Sequence, residues 1–290
     1  MALNRLATDG DIATFAKDGT TVGSWQSRAG LVSTIILDPR TGGMGLSGSG
    51  TRFTPTDGSG VEQDARNDIG TSTYRFKDLY LSGDAIVGGM YTNTLGTSNF
   101  RAGVNAGNSI IAGGNYNTIV GDAAGTAITT GTYNSFLGMS AGDAFTDADY
   151  NVAVGAFALS TDTRGSSSVA IGTSALAIQN FTSATSAYNT AVGHEAGKSV
   201  TTGIKNTLIG GIAGDALNTG SYNVAVGMQA LSADTKGQKN VAIGQGALES
   251  QNFTSATDSY NTAVGHFAGG NITTGINNTL IGGLAGDALT

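Results

Sequence analysis

The sequence predicts an all-β protein, in which a small N-terminal β module precedes an elongated parallel β-solenoid of the β-roll type. From residue 117 onward, a cassette of one Asn, three mostly apolar residues and one Gly recurs at intervals of 17 or 21. Repeats of this kind indicate coils stacked into an array. The composition also disfavours helices, because 46 of the 290 residues are Gly and the repeats are rich in Thr, Asn, Ser and Val.

The first cassette position forms a column of Asn residues, interrupted only by Ser168. The Asn members are Asn117, Asn134, Asn151, Asn189, Asn206, Asn223, Asn240, Asn261 and Asn278. Four successive cassettes make a longer super-repeat, so Asn117, Asn189 and Asn261 begin equivalent copies. Stacked parallel coils place equivalent residues about 4.8 Å apart. We therefore expect a structural Asn ladder, weakened locally at Ser168.

The fifth cassette position is always Gly. These residues are Gly121, Gly138, Gly155, Gly172, Gly193, Gly210, Gly227, Gly244, Gly265 and Gly282. A position that never carries a side chain indicates a backbone conformation that a side chain would strain. We predict that these glycines form structural turns.

The coil at residues 189–205 illustrates the expected local structure. Residues 190–192 are predicted to form one strand, Gly193 a turn, and residues 199–202 a second strand. Two short strands in each coil define a β-roll. Residues 108–113 (NSIIAG) resemble a cassette and are predicted to be a shortened first one, as terminal repeats are often atypical.

A Tyr precedes six of the cassettes. The residues are Tyr116, Tyr133, Tyr150, Tyr188, Tyr222 and Tyr260. Their regular placement favours a structural stack of rings over a sugar-binding platform.

The N-terminal part of the chain, before Thr41, carries signals of antiparallel strands. Residues 12–16 and 21–25 flank Asp18-Gly19, a pair that favours a hairpin turn. A third strand is predicted at residues 31–37, ended by Asp38-Pro39 because proline cannot donate to a ladder.

The stretch that follows is rich in turn-forming residues. Residues 42–50 and 56–64 are predicted to be loops or a flexible joint, and a further strand is predicted around Leu79 and Leu81. The predicted domains are a β-hairpin module at 1–60, a connecting β segment at 61–107 and the repeat shaft at 108–290.

Charge and composition exclude several classes of partner. The net charge is −7, the pI is about 4.6, and Lys and Arg do not cluster, so we expect no nucleic-acid binding. The absence of Cys excludes disulfides and thiolate zinc sites. No apolar run is long enough for a membrane-spanning helix, so we expect no membrane insertion. Residues 1–11 lack the apolar stretch of a secretory signal, which weighs against an exported bacterial protein.

The ionisable residues follow the repeats and do not form a catalytic pattern. His194 and His266 stand one super-repeat apart and are predicted to be exposed turn residues. Asp143, Asp215 and Asp287 recur at the same spacing, as do Asp162 and Asp234. A hydrolytic pair needs two carboxylates in different environments of one cleft, which a periodic stack does not supply. We expect no enzymatic activity, no cofactor and no metal site.

The small number of large apolar side chains in each coil predicts self-association. A single coil offers too little apolar surface to offset the entropy of ordering it. A second face of the coil is therefore expected to be buried against other copies of the chain.

Two segments near the N-terminus resemble tail fibre proteins of tailed bacteriophages. Residues 10–24 (GDIATFAKDGTTVGS) and 72–83 (STYRFKDLYLSG) match stretches that recur in those proteins. The resemblance is confined to these two segments and implies a fibre module without indicating an activity.

The cassettes resemble the head repeats of trimeric autotransporter adhesins. Residues 151–155, 168–172, 223–227 and 240–244 are close matches, and the likeness extends over the whole repeat region from residue 117 onward. It implies a left-handed parallel β-roll with three chains around one axis. The coils here are longer than that family's, so residues 179–187 and 251–259 are expected to project as loops, either a binding side or simple spacers.

Together these resemblances imply a virion fibre or spike of a tailed phage, on the tail in preference to the head. The implied partners are two further copies of the chain, other virion proteins, and a glycan or protein receptor on the host surface. Two alternatives stay open: the passenger domain of a bacterial trimeric surface adhesin, and a glycan-degrading tailspike.

Overall fold

The computed structural model describes residues 10–28, 32–41, 44–49, 52–59, 61 and 95–289. These residues form strands, turns and bends, and none of them lies in a helix, which confirms the all-β prediction. A membrane-spanning helix is accordingly not found in the described part of the chain. The chain divides into two compact units, residues 1–86 and 87–290, and each is described by itself.

The first unit contains one antiparallel sheet. Its five strands follow one another in chain order: β1 (Gly10–Lys17), β2 (Thr20–Arg28), β3 (Val32–Ile36), β4 (Met44–Ser49) and β5 (Arg52–Asp57). The predicted hairpin is confirmed, since Asp18 and Gly19 connect β1 and β2 with φ of 52° and 79°. Two consecutive positive φ values match the twist of a two-residue hairpin. The predicted third strand is β3, which ends before Asp38-Pro39.

The prediction of a loop at residues 42–50 was wrong, because Met44–Ser49 is strand β4. Gly45 pairs with Ile36 and Thr56, and a Cβ on Gly45 would lie 2.6 Å from the carbonyl oxygen of Ile35. The glycine therefore permits a close approach of strands here instead of signalling a loop. The predicted strand around Leu79 and Leu81 lies outside the described residues.

The second unit is a stack of short parallel strands. In chain order its strands are β6 (Phe100–Ala102), β7 (Thr118–Val120), β8 (Ser135–Leu137), β9 (Val152–Val154), β10 (Gly165–Ser166), β11 (Val169–Ile171), β12 (Thr185–Ser186), β13 (Thr190–Val192), β14 (Thr207–Ile209), β15 (Val224–Val226), β16 (Gly237–Gln238), β17 (Val241–Ile243), β18 (Thr257–Asp258), β19 (Thr262–Val264) and β20 (Thr279–Ile281).

Eleven of these strands, one for each coil, form a single parallel sheet. Their pairing follows the cassettes without a shift, so that Val169 of β11 pairs with Val152 on one side and Thr190 on the other. The four remaining strands form two separate pairs, β10 with β12 and β16 with β18. The predicted parallel β-solenoid, with like residues stacked on like, is thereby confirmed.

The first coil begins earlier than the cassette pattern predicted. Strand β6 pairs with β7 and follows Asn99, so the parallel sheet starts inside the segment 61–107 that the sequence assigned as a connection. The prediction of a first cassette at 108–113 was wrong, because those residues form the return half of the Asn99 coil. The interval from Asn99 to Asn117 is 18, whereas that from Asn117 to Asn134 is 17. Arg101 also occupies the inward strand position that is apolar in later coils, and its guanidinium donates to the carbonyl oxygens of Ala106 (3.1 Å) and Gly107 (2.8 Å).

The prediction of a second strand at residues 199–202 was also wrong. These residues form turns and bends, and their links to the next coil are isolated bonds such as Thr201 N–H to the Asn218 carbonyl oxygen (2.9 Å). Gly197 just before them has a φ of 60°, which interrupts extended backbone. Among the described coils, a second strand forms only beside the longer coils that contain the insertions, as β10 with β12 and β16 with β18.

The core of the solenoid is thin and rich in Ala. In each coil the middle residue of the sheet strand points inward, as Ala191 and Leu208 do, and the seventh residue after the cassette start is an Ala, such as Ala213, that is buried in every coil but the last. A further apolar side chain, such as Leu217, completes the layer. Small side chains let the two sides of the coil lie close together, and the core continues unbroken along the stack.

Candidate functional site: the ladder, the loops and the outer face

The predicted ladder residues are joined by hydrogen bonds that run inside the solenoid. The N–H of Asn134 donates to Oδ1 of Asn117 (2.9 Å), and Nδ2 of Asn134 donates to the carbonyl oxygen of Ala148 (2.8 Å). Both Asn side chains are fully buried. Most ladder residues thus satisfy a backbone donor of the next coil and a backbone acceptor of their own coil, groups that would otherwise be buried without partners; Nδ2 of Asn240 and of Asn278 donates instead to Oδ1 of the preceding ladder Asn. Asn99 is an additional member, because its Oδ1 accepts from the N–H of Asn117 (2.9 Å).

The ladder is interrupted at Ser168, where Gln179 takes over. The Gln179 side chain donates to Oγ of Ser168 (3.2 Å), and its Oε1 accepts from Nδ2 of Asn189 (2.8 Å). Gln251 makes the equivalent bond to Asn261 (2.7 Å) in the next super-repeat. In the Ser168 coil the longer Gln179 side chain thus replaces the missing ladder contact, whereas in the Asn240 coil Gln251 adds to a ladder contact that persists, since Oδ1 of Asn240 accepts from the N–H of Asn261 (3.2 Å).

Asp162 anchors the first inserted segment together with Gln179. Its Oδ1 accepts from the N–H groups of Gly165 (2.9 Å) and Phe181 (3.0 Å), and its Oδ2 accepts from Nε2 of Gln179 (2.6 Å). Asp234 makes the corresponding bonds in the other copy. Both carboxylates are fully buried. Each Asp lies in the coil before a long one and anchors the inserted segment from there, a structural role that was not predicted from the sequence.

A signal for this role was present in the sequence. In the Asn206 coil, the eighth and eleventh residues after the Asn are Gly214 and Leu217, and Leu217 fills the core. In the Asn223 coil, the same positions are Leu231 and Asp234, so the apolar side chain has moved to the eighth position. That position has a positive φ in either case, 55° at both Gly214 and Leu231. The exchange keeps the core filled while freeing the eleventh position for a buried carboxylate.

The column of cassette glycines has φ between 123° and 141° at all ten positions. A Cβ on Gly138 would lie 2.6 Å from the carbonyl oxygen of Gly155 in the next coil. Side chains are therefore excluded here both by the backbone conformation and by the neighbouring coil.

The Tyr column lies on the surface as a stack of rings. Tyr116 and Tyr133 have ring centroids 4.9 Å apart, and Tyr133 and Tyr150 are 5.1 Å apart, with nearly parallel planes. Further along, Nζ of Lys239 lies 5.0 Å from the ring centroid of Tyr260. Hydrogen bonds to Asp258 and Tyr260 raise the pKa of Lys239. The predicted stack of rings is therefore confirmed for Tyr116, Tyr133 and Tyr150, whereas Tyr260 lies against Lys239.

The inserted loops present short polar tips. Thr182, Ser183 and Ala184 are exposed, whereas Gln179 and Phe181 are buried and fix the base of the loop. Thr185–Ser186 is strand β12, so the prediction that residues 179–187 project as a loop holds only for the exposed tip at 182–184.

The two histidines and the possible metal ligands follow the repeats. His194 and His266 are exposed turn residues, as predicted, and the His266 ring lies edge-on to Phe267 at 4.6 Å. Among the described residues, His, Asp and Glu side chains nowhere gather in a group of three that could hold a metal ion.

The outward side of the eleven-stranded sheet carries an aliphatic column, here called the outer stripe. It consists of the last residue of each strand of this sheet from β7 onward: Val120, Leu137, Val154, Ile171, Val192, Ile209, Val226, Ile243, Val264 and Ile281. The Val members are half-buried, and the Leu and Ile members are exposed, with Ile209 and Ile243 each at 38%. The neighbouring outward column contains only Thr, Ser and Val. The outward side of the sheet is thus uncharged from residue 118 to residue 281.

Two half-buried carboxyl groups depart from ordinary titration. Burial raises the pKa of Asp143 and of Asp215, and one oxygen of each, Oδ1, is shielded from solvent without a hydrogen-bond partner. Such a group favours the folded state while protonated, and that contribution is lost as the pH rises through the pKa of the folded state.

We expect the substitution Asp215→Asn to stabilise the protein at pH 7. It removes a poorly solvated charge, which is worth at most about 1 kcal/mol at a partly exposed position. The gain should shrink as the pH falls below the ordinary Asp range, where the wild-type carboxyl is protonated in both states. Denaturation midpoints at pH 7 and pH 3 measure this effect. Asp287→Asn, at the same repeat phase but exposed, is the control and should change neither midpoint; equal gains for both variants would contradict the prediction.

Three comparisons with known proteins identified no relative of this chain. No protein-family model, no curated protein and no solved structure matches the chain.

Proposed function

We propose that the protein is a structural fibre or spike component of a tailed-phage virion, on the tail in preference to the head. Three copies associate along the outer stripe into a shaft that gives mechanical reach and contributes to attachment to a glycan or protein on the host surface. The observation that carries the self-association is the uncharged aliphatic stripe, which continues from Val120 to Ile281. The phage context rests on the resemblance of residues 10–24 and 72–83 to tail fibre sequences.

The regularity of the stripe favours other copies of the same chain as its partner. Its members recur once per coil, about 4.8 Å apart. A second copy has the same period, so its side chains can meet these residues at every coil along the stack. A partner with a different period would drift out of register within a few coils. Each fully buried Leu, Ile or Val contributes roughly 1.5 to 3 kcal/mol, so a column of such contacts supports a stable assembly.

Charges placed on the stripe are expected to dissociate the assembly. In the double variant Ile209→Lys with Ile243→Lys, two ammonium groups per chain would have to be buried without partners. The affinity between copies should fall by at least a hundredfold, which sedimentation velocity can measure. Both side chains point outward, so the substitutions leave the inside of each coil unchanged. Gln229→Lys, away from the strands, is the control and should sediment as the wild type does; an unchanged mass for the double variant would contradict the proposed interface.

Immunogold electron microscopy tests the virion assignment. Antibodies against the purified protein should label fibres or spikes on the phage that encodes it. Excess protein should also slow adsorption of that phage to its host. Unlabelled virions and unchanged adsorption would overturn the proposal.

A bacterial trimeric adhesin is the second candidate, because residues 151–155 and 223–227 closely match that family's head repeats. In this case the same antibodies would label the outer surface of the bacterium that encodes the chain, and virions would stay unlabelled.

A further inference from the structure

The N-terminal sheet exposes large apolar side chains on one side. Phe15 is 55% exposed, Trp25 47%, Ile35 42% and Leu37 53%, and these four residues are here called the apolar face. Trp25 pairs directly with Ile35 on the neighbouring strand, and Leu37 follows two positions after Ile35. Side chains two positions apart on a strand point to the same side, so the four form one surface.

The opposite side of the sheet is buried at its centre, although most of its side chains are polar. Ser24, Thr34, Ser47 and Thr56 are each at most 2% exposed. The hydroxyl groups of Thr34 and Ser47 are 3.1 Å apart and share a hydrogen bond. The chain therefore buries hydroxyl groups and exposes an indole and a phenyl ring, the reverse of the usual distribution. An assembly that covers the apolar face would bury these two rings.

The centre of this side of the sheet carries no charge that would oppose contact between copies; the Asp57 carboxylate, two positions after Pro55 at the margin, accepts hydrogen bonds from the N–H groups of its own loop. The row that crosses the sheet through Trp25 consists of Ala13, Trp25, Ile35, Leu46 and Pro55. The protein has a net charge of −7, so identical copies repel one another over most of their surface. This row offers contact without such repulsion.

We propose that the apolar face is a second self-association site, at which the N-terminal sheets of the three copies pack together. The inference rests on the proposed assembly of the shaft. An assembled shaft tethers three copies of the sheet through their own chains. Tethering raises their effective concentration to the millimolar range, at which even a weak apolar contact is populated. The shaft thus supplies the proximity, and the apolar face supplies the contact.

Trp25 reports directly on this contact, because it is the only tryptophan of the chain. In the full-length protein at its assembled mass, we expect blue-shifted Trp emission and weak quenching by acrylamide. The variant Ile35→Lys should shift the emission to the red and increase the quenching constant about threefold or more. Leu37→Lys, just outside strand β3, should do the same and guards against an effect of misfolding. Thr14→Lys, exposed on the opposite side of strand β1, is the control and should leave the emission unchanged.

The outcomes separate this inference from the proposed function. A trimeric mass with fully quenchable Trp25 would overturn the second site and leave the shaft assembly standing. A monomeric mass would remove the shaft assembly. A monomer with shielded Trp25 would also overturn the second site, because the chain itself would then cover the apolar face.

Discussion

The substitution Gly210→Ala is expected to destabilise the solenoid by about 3 kcal/mol or more. Gly210 has a φ of 134°, a conformation that residues with a side chain rarely adopt and that costs them about 1 to 3 kcal/mol. An added Cβ would also lie 2.6 Å from the carbonyl carbon of Gly227. Backbone of the next coil cannot move aside without breaking the ladder, so both costs apply. Chemical denaturation followed by circular dichroism measures the effect.

Gly211→Ala provides a matched control at the next residue. A Cβ on Gly211 would meet nothing within 4 Å. The control should change the free energy of unfolding by less than about 0.5 kcal/mol. Similar midpoints for the two variants would contradict the proposed stacking of the turns.

The substitution Asn206→Ala is expected to cost about 2 to 5 kcal/mol. The Asn206 side chain accepts from the N–H of Asn223 (3.0 Å) and donates to the carbonyl oxygen of Gly220 (2.9 Å). Both backbone groups belong to buried residues. Alanine would leave them without partners, at about 1 to 3 kcal/mol for each group. Thermal and urea denaturation would reveal the loss.

A surface Asn is the control for this experiment. Asn218 is exposed, and its side chain accepts from the hydroxyl of Thr201. Asn218→Ala should therefore change stability by less than about 0.5 kcal/mol. Equal losses at the two positions would mean that the ladder bonds contribute no more than surface hydrogen bonds.

The repeat pattern predicted those features that depend on a residue occurring at the same phase of every coil. The phase of the cassettes predicted the register in which β11 pairs with β9 and β13. A side chain that recurs in a parallel stack must meet its own equivalent. The stack of Tyr116, Tyr133 and Tyr150 follows for the same reason.

Features that break the repeat could not be predicted in this way. The Asn99 coil keeps Asn99 and Gly103 at the cassette positions, but it begins 18 residues before Asn117 and carries Arg101 where later coils have an apolar residue, so the 17- and 21-residue intervals did not extend to it. Strand β4 (Met44–Ser49) was missed because Gly45 and Gly48 indicate a loop when the neighbouring strands are unknown. The role of Asp162 depends on Gln179 in the next coil, a contact that only the stacked arrangement reveals.

The most direct test of the account is the mass of the full-length protein by sedimentation equilibrium. In the proposed assembly, coils stacked in register expose the outer stripe, and three copies bury it together. This arrangement predicts a mass of about 87 kDa, three times the 28.9 kDa of one chain. A mass of 28.9 kDa at micromolar concentration, with the strands still folded by circular dichroism, would contradict it.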